Sequence, residues 1–208
     1  MKLTITITDV EHMKAVLRRV LPDVKSSHRV EALARGLGWS TNAAMRAALA
    51  AGAVEVGADE GAFLRYLHEH SFESPPDCLT RSLAKLGVRR AMDMEPDLSY
   101  FGYGAYRNRD ETAKEANARF QTSRAEMLDD PAIAEFIRAV EFLSKYPRRK
   151  TINPKRNSYG LKHDAERATG DYVANGMLIA AALAMGFSAV PTHSGSPNAH
   201  FNISSKAA

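Results

Sequence analysis

The chain has 208 residues, 45% of them hydrophobic and 25% charged, with a formal charge of +4 and a pI near 9.2. Such a length and composition predict a globular protein with one substantial core or two small ones. Its lone cysteine, Cys78, excludes an intrachain disulfide and any multi-cysteine zinc site and fits a reducing cytoplasm, and its longest apolar run, residues 177–184, is too short to span a membrane.

From the N-terminus, Leu3, Ile5 and Ile7 alternate as one face of a strand, where a secretion signal would carry an unbroken apolar core. Asp9 then stands as a helix N-cap ahead of Val10, Met13, Val16, Leu17 and Val20 at helical spacing, and Pro22 stops that helix. Further helices are expected over residues 28–37 and 41–50, and a strand over Ala53-Val-Glu-Val56 follows Gly52. The two strands are expected to pair and close residues 1–57 into a compact unit, with another helix over 59–70.

Pro75-Pro76 reads as a linker, because paired prolines stop helix and central strand alike, so two regions are expected, 1–74 and 77–208. Helical spacing returns over 77–95 and 110–143, the latter offering Phe120, Met127, Ile133, Phe136, Ile137, Val140 and Phe142 to a core. Between them lies a glycine and aromatic loop, Tyr100-Phe-Gly-Tyr-Gly-Ala-Tyr106, followed by Arg107 and Arg109. Helices over 159–168 and 176–185, the second capped by Asn175 and stopped by Gly186, lead to short strands over 187–190 and 199–203 around the Ser194-Gly-Ser-Pro197 turn. The expected fold class is α+β, predominantly helical: a small N-terminal strand-helix-helix-helix-strand unit, a helical middle, and a C-terminal helix pair with a terminal β-hairpin.

Positive charge is concentrated in residues 145–163, where seven Lys or Arg, one His and two Tyr fall in nineteen residues without an acid. Pro147 and Pro154 are expected to keep residues 145–156 extended as an arm on which Arg148, Arg149, Lys150, Lys155 and Arg156 track a phosphate backbone. Lys162 and His163 would continue the patch onto the next helix. Tyr146 and Tyr159 suit stacking on unpaired bases. The competing reading is a solvated charged linker with its tyrosines in the core.

A second candidate is Val30 to Leu49, which resembles a helix-turn-helix. Ala34 is small where two helices would cross, Gly38 permits the turn, Leu33 and Leu37 lie beneath, and Ser40 would cap a second helix turning Ala44, Ala47 and Leu49 inward. Ser40, Thr41, Asn42 and Arg46 would then reach bases or phosphates. A helix dominated by alanine offers few base readers, and many short helix pairs share this pattern.

Catalytic patterns fail individually. Tyr159 and Lys162 are three apart with no Gly-rich dinucleotide loop before them, and Ser158, His163 and Asp164 lack a nucleophile elbow. His68 and His70 point to different sides of a helix, while His193 and His200 flank the terminal hairpin without a nearby carboxylate. No catalytic residue, metal or cofactor is assigned. The enzyme class reduces to a small nuclease or hydrolase centred on His163 and Glu166 or on His193 and His200.

Four blocks, 26–38, 151–163, 172–182 and 201–204, together resemble a group of uncharacterised bacterial proteins associated with plasmids, integrative elements and prophages. The block Ser158-Tyr-Gly-Leu-Lys-His163 is the most specific part of that resemblance, which spans most of the chain. It implies a mobile-element accessory protein and carries no residue role. The expected function is therefore nucleic-acid binding through the basic arm, with a counter-defence inhibitor of a host nuclease or its guide complex as the alternative. Expected partners are DNA or RNA, or a host-defence protein complex, with no membrane and with a homodimer left open, in the cytoplasm.

Overall fold

The computed structural model describes residues 2–104 and 108–207; Tyr106 and Arg107 of the aromatic loop lie outside the described residues. Strand β1 (Lys2–Ile5) pairs antiparallel with β2 (Val54–Gly57), setting Leu3 opposite Val56 and Ile5 opposite Val54. Between them run α1 (Ile7–Val20), α2 (Ser26–Gly36) and α3 (Asn42–Ala51), and α4 (Glu60–Glu69) follows. The first strand is shorter than its alternation suggests. Asp9 reaches back to accept the Thr6 backbone N–H at 2.7 Å, so Thr6 is the N-cap, Asp9 is the third helical residue, and Ile7 already belongs to α1. Leu3, Ile5, Met13, Leu17, Leu33, Phe63 and Leu67 are buried, and α2 packs chiefly on α4.

Helix α5 (Cys78–Met94) begins just after the paired prolines. Glu60 holds its start, accepting from the Leu79 and Thr80 backbone N–H groups and from the Thr80 hydroxyl. An acid from a neighbouring helix thus satisfies donors that the first turn leaves unpaired. The chain divides inside α5 into two compact units, Met1–Leu86 and Gly87–Ala208.

The second unit contains the hairpin β3 (Leu98–Ser99) and β4 (Gly102–Tyr103), then α6 (Ala113–Glu126), α7 (Asp130–Leu143), α8 (Ser158–Thr169), α9 (Asn175–Ala184) and a second hairpin, β5 (Ala189–Pro191) with β6 (Ala199–Phe201). The helical stretch expected over 110–143 is broken at 127–129, where Asp129 and Pro131 start a new helix. Met127, Ile133, Phe136, Val140 and Phe142 are buried, whereas Phe120 and Ile137 are half-buried.

Helix α9 is apolar on every side and buried from Asn175 to Leu183, with α7 and α8 packed on it. Its N-cap is Ala174 and not Asn175, whose side-chain amide instead donates to the carbonyls of Phe101 and Pro197 and to Asn198 Oδ1. The architecture is α+β and predominantly helical, with the terminal hairpin where the strand periodicity places it. Among the described residues no helix is long and apolar enough to cross a membrane.

Candidate functional site

The basic segment is not a free extended arm. Residues 147–149 run antiparallel to residues 202–204, just beyond β6, and Asn153 ties the segment back to the end of that strand. Pro147 O accepts from Ser204 N at 2.9 Å, Arg149 N donates to Asn202 O at 2.6 Å, and Asn153 N donates to Phe201 O at 2.7 Å. Bridges at Arg148 with Ile203 and at Asn157 with His200 extend the register. At Pro154 the path turns: Asn153 O accepts from Arg156 N and Asn153 Oδ1 accepts from Lys155 N, a turn with Pro154 at its second position. The buried Asn153 amide also donates to Ile203 O and Ser205 Oγ, each at 3.0 Å.

This stitching leaves Arg148, Arg149, Lys150 and Lys155 exposed. Arg148 lays its guanidinium on Gly186 O at 3.3 Å. Among the described residues no carboxylate lies within ion-pair distance of any of the four; the pairs of this region involve other cations.

Beyond Lys155 the same charge is neutralised internally. Arg156 donates to Asp164 Oδ2 at 2.7 Å and to Ser205 O, with its guanidinium 5.5 Å from the centre of the Tyr146 ring. Lys162 does not join an exposed patch. It is only 6% exposed, and its ammonium meets Glu166 Oε1 at 2.7 Å. His163 Nδ1 meets Glu166 Oε2 at 2.6 Å, and Val173 N donates to Oε1 at 3.2 Å. Burial alone would raise the Glu166 pKa, but Lys162, the Val173 N–H and His163 together hold it below the ordinary carboxylate value. An ionised carboxylate only accepts, so His163 meets Glu166 through a protonated Nδ1.

Two tyrosines flank the buried Lys162. Its Nζ lies 4.6 Å from the Tyr172 ring centre and 5.9 Å from that of Tyr159, and both rings are about half exposed, at 55% and 53%. The ring of Tyr159 also meets His163 edge-on at 4.6 Å. Tyr146 is differently placed, half-buried against Phe142 and under Arg156. Sequence reasoning missed Tyr172. The signal was the α8 stop at Gly170, in the left-handed conformation, after which the chain doubles back and sets Tyr172 against Lys162.

The α2–α3 pair keeps the local turn of a helix-turn-helix but few of its contact groups. Gly38, at φ 98°, closes a Schellman motif in which Trp39 N bonds Ala34 O and Gly38 N bonds Arg35 O. Thr41, not Ser40, caps α3 by accepting from Ala44 N, and Met45 with Leu49 faces inward, while Ala44 is half-buried and Ala47 is exposed. Glu31 already accepts the Asn42 N–H, so a carboxylate occupies the helix end that would draw a phosphate. Arg46 is exposed, with Glu11 at 3.8 Å.

The remaining candidates are engaged elsewhere. Ser158 Oγ is buried and accepts from Ala199 N, His200 Nδ1 lies on Arg156 O, and His193 Nδ1 lies on Ser194 O. Among the described residues no three His, Cys, Asp or Glu side chains gather as a metal site requires. Tyr100 donates its hydroxyl to Glu135, and burial together with that carboxylate raises its pKa, while Tyr103 is buried and Phe101 is exposed. Comparison of the chain with protein-family models, curated proteins and solved structures found no match.

Proposed function

We propose that the protein binds nucleic acid without catalysis, as an accessory protein of a mobile genetic element, through Arg148, Arg149, Lys150 and Lys155. One observation carries this reading: four exposed cations, without carboxylate partners among the described residues, stand on a segment held by main-chain bonds to residues 201–204. A backbone held in register loses less conformational freedom on binding than a loose linker, so its charges act together on a phosphate chain. Tyr159 and Tyr172 add faces on which unpaired bases can stack, which favours a single strand over a duplex. DNA and RNA suit this surface equally.

Filter-binding titrations of single- and double-stranded DNA and RNA at two salt concentrations test the proposal. Replacing all four cations by alanine is expected to weaken binding about a hundred-fold at low salt and to flatten the salt slope by about 3, as loss of four single-strand phosphate contacts requires. An unchanged affinity in that variant contradicts it.

A second reading has its own observation. His163, oriented by Glu166 through Nδ1, is placed as a general base held by a carboxylate would be, which would make the protein a small nuclease. Labelled RNA and DNA incubated with wild-type protein and with His163→Ala decide the matter: cleavage that disappears in the variant supports the enzyme, and intact strands with both proteins remove it.

A further inference from the structure

The first unit carries an open cleft of about 270 Å³ between α2, the turn that follows it and α4. That is close to the lower bound for small-molecule sites, so its occupant is small. Arg35, Trp39, Ser40, Arg65, Tyr66 and Glu69 line it.

Three features make it more than a gap between helices. First, it holds two cations that the fold does not neutralise. Arg35 has Glu31, and Arg65 has Glu69, four residues away on its own helix, a spacing that commonly pairs such charges. Yet among the described residues no carboxylate lies within ion-pair distance of either guanidinium, and Glu31 accepts the Asn42 N–H instead. Arg35 lies over the Tyr66 ring, 5.1 Å from its centre, a contact that places the guanidinium without using its N–H groups. Second, Trp39 is set at the cleft by its backbone, whose N–H bonds Ala34 O at 2.9 Å across the left-handed Gly38. Its indole is half-buried, and the indole N–H has no partner among the described residues. Third, Ser40 and Glu69 are exposed there, a hydroxyl and an acceptor that a ligand can reach.

These groups answer different parts of one ligand. Two planar guanidiniums suit the oxygens of a phosphate monoester. An indole face suits a flat ring. Glu69 repels a bare anion but accepts from a hydroxyl or amino group, so the occupant carries donors away from its charge. From this combination we infer that the cleft binds a nucleoside 5′-monophosphate, free or at the 5′ end of a strand. Its phosphate lies on Arg35 and Arg65, its base against Trp39, and a sugar or base donor on Glu69. The site lies within the first unit and does not depend on the nucleic-acid binding proposed for residues 148–155.

The test uses the full chain, in which Trp39 is the only tryptophan and reports from the cleft itself. Millimolar AMP should change its fluorescence saturably, while adenosine and inorganic phosphate, each lacking part of the recognised structure, should bind at least about ten-fold more weakly. Arg35→Gln and Arg65→Gln should each weaken AMP about ten-fold and still melt as folded proteins, because both side chains are exposed. A 5′-phosphorylated tetranucleotide and its 5′-hydroxyl counterpart, titrated into the variant with Arg148, Arg149, Lys150 and Lys155 replaced by alanine, separate the two sources. A response to the phosphorylated strand alone supports a strand end as ligand, and a response to AMP but to neither strand supports the free nucleotide. No saturable change with AMP, equal affinity for adenosine or phosphate, equal responses to both strands, or full AMP affinity in both arginine variants would overturn the inference.

Discussion

The cations of residues 147–155 (Arg148, Arg149, Lys150 and Lys155) and those of residues 156–166 (Arg156 and Lys162, with His163) meet opposite fates. The first stretch is stitched by its backbone to residues 201–204 and turns four cations to solvent; the second leads into a helix whose own acids, Asp164 and Glu166, take up Arg156, Lys162 and His163. The difference follows from geometry. A helix brings groups three and four residues apart onto one face, so acids just beyond a basic run can neutralise its end. An extended segment paired through its main chain has no such neighbours, and its side chains keep their charge for a partner.

The strongest way to break this contrast is to unpair the second stretch. Glu166→Ala strands Lys162 in a buried position and should cost about 3 kcal/mol of stability in thermal or denaturant melts. The effect has a defined pH dependence. Because the folded Glu166 pKa lies below its unfolded value, its contribution is complete above the unfolded carboxylate pKa and is lost as pH falls through the folded one. The gap between wild type and Glu166→Gln should therefore narrow in acid; a gap that stays constant from neutral pH down to strong acid counts against the pairing.

Loosening the first stretch is the next largest perturbation. Asn153→Ala removes the amide that bridges Ile203 O and Ser205 Oγ, and should cost about 2 kcal/mol while also lowering nucleic-acid affinity. If affinity holds while stability falls, fixation of the segment is irrelevant to binding. Tyr172→Ala should weaken binding of single strands by about 1 kcal/mol and leave duplex affinity unchanged. Equal losses for both ligands would show that the ring does not stack on bases. Arg156→Ala should change affinity less than two-fold, because its guanidinium is already held by Asp164 and Ser205.

Much of this architecture was legible from residue spacing. The pairing of the first and last strands of the N-terminal unit, the helix stop at Gly186 and the terminal hairpin all follow from local signals that tertiary packing reinforces. Cap identities were less legible, since Thr6 and Ala174 take the N-cap positions where Asp9 and Asn175 were the better-looking candidates, Asp9 being used one turn later and Asn175 as a crosslink between loops. The exposed members of the basic segment were visible as residue types. The burial of Lys162 was not, because it depends on Glu166 lying past the end of the basic run and on Tyr172 folding back over it. Nor did composition reveal that main-chain bonds to residues 201–204 would hold the segment.

The salt dependence of single-strand binding tests the central claim most directly, measured for Arg149→Ala/Lys150→Ala beside Arg156→Ala. The slope of log affinity against log salt should fall by about 1.4 in the double variant, as expected for two lost phosphate contacts, and stay at its wild-type value in Arg156→Ala. A slope unchanged in the double variant, or reduced in Arg156→Ala by as much per cation as in the double variant, would contradict the assignment of binding to the exposed stretch.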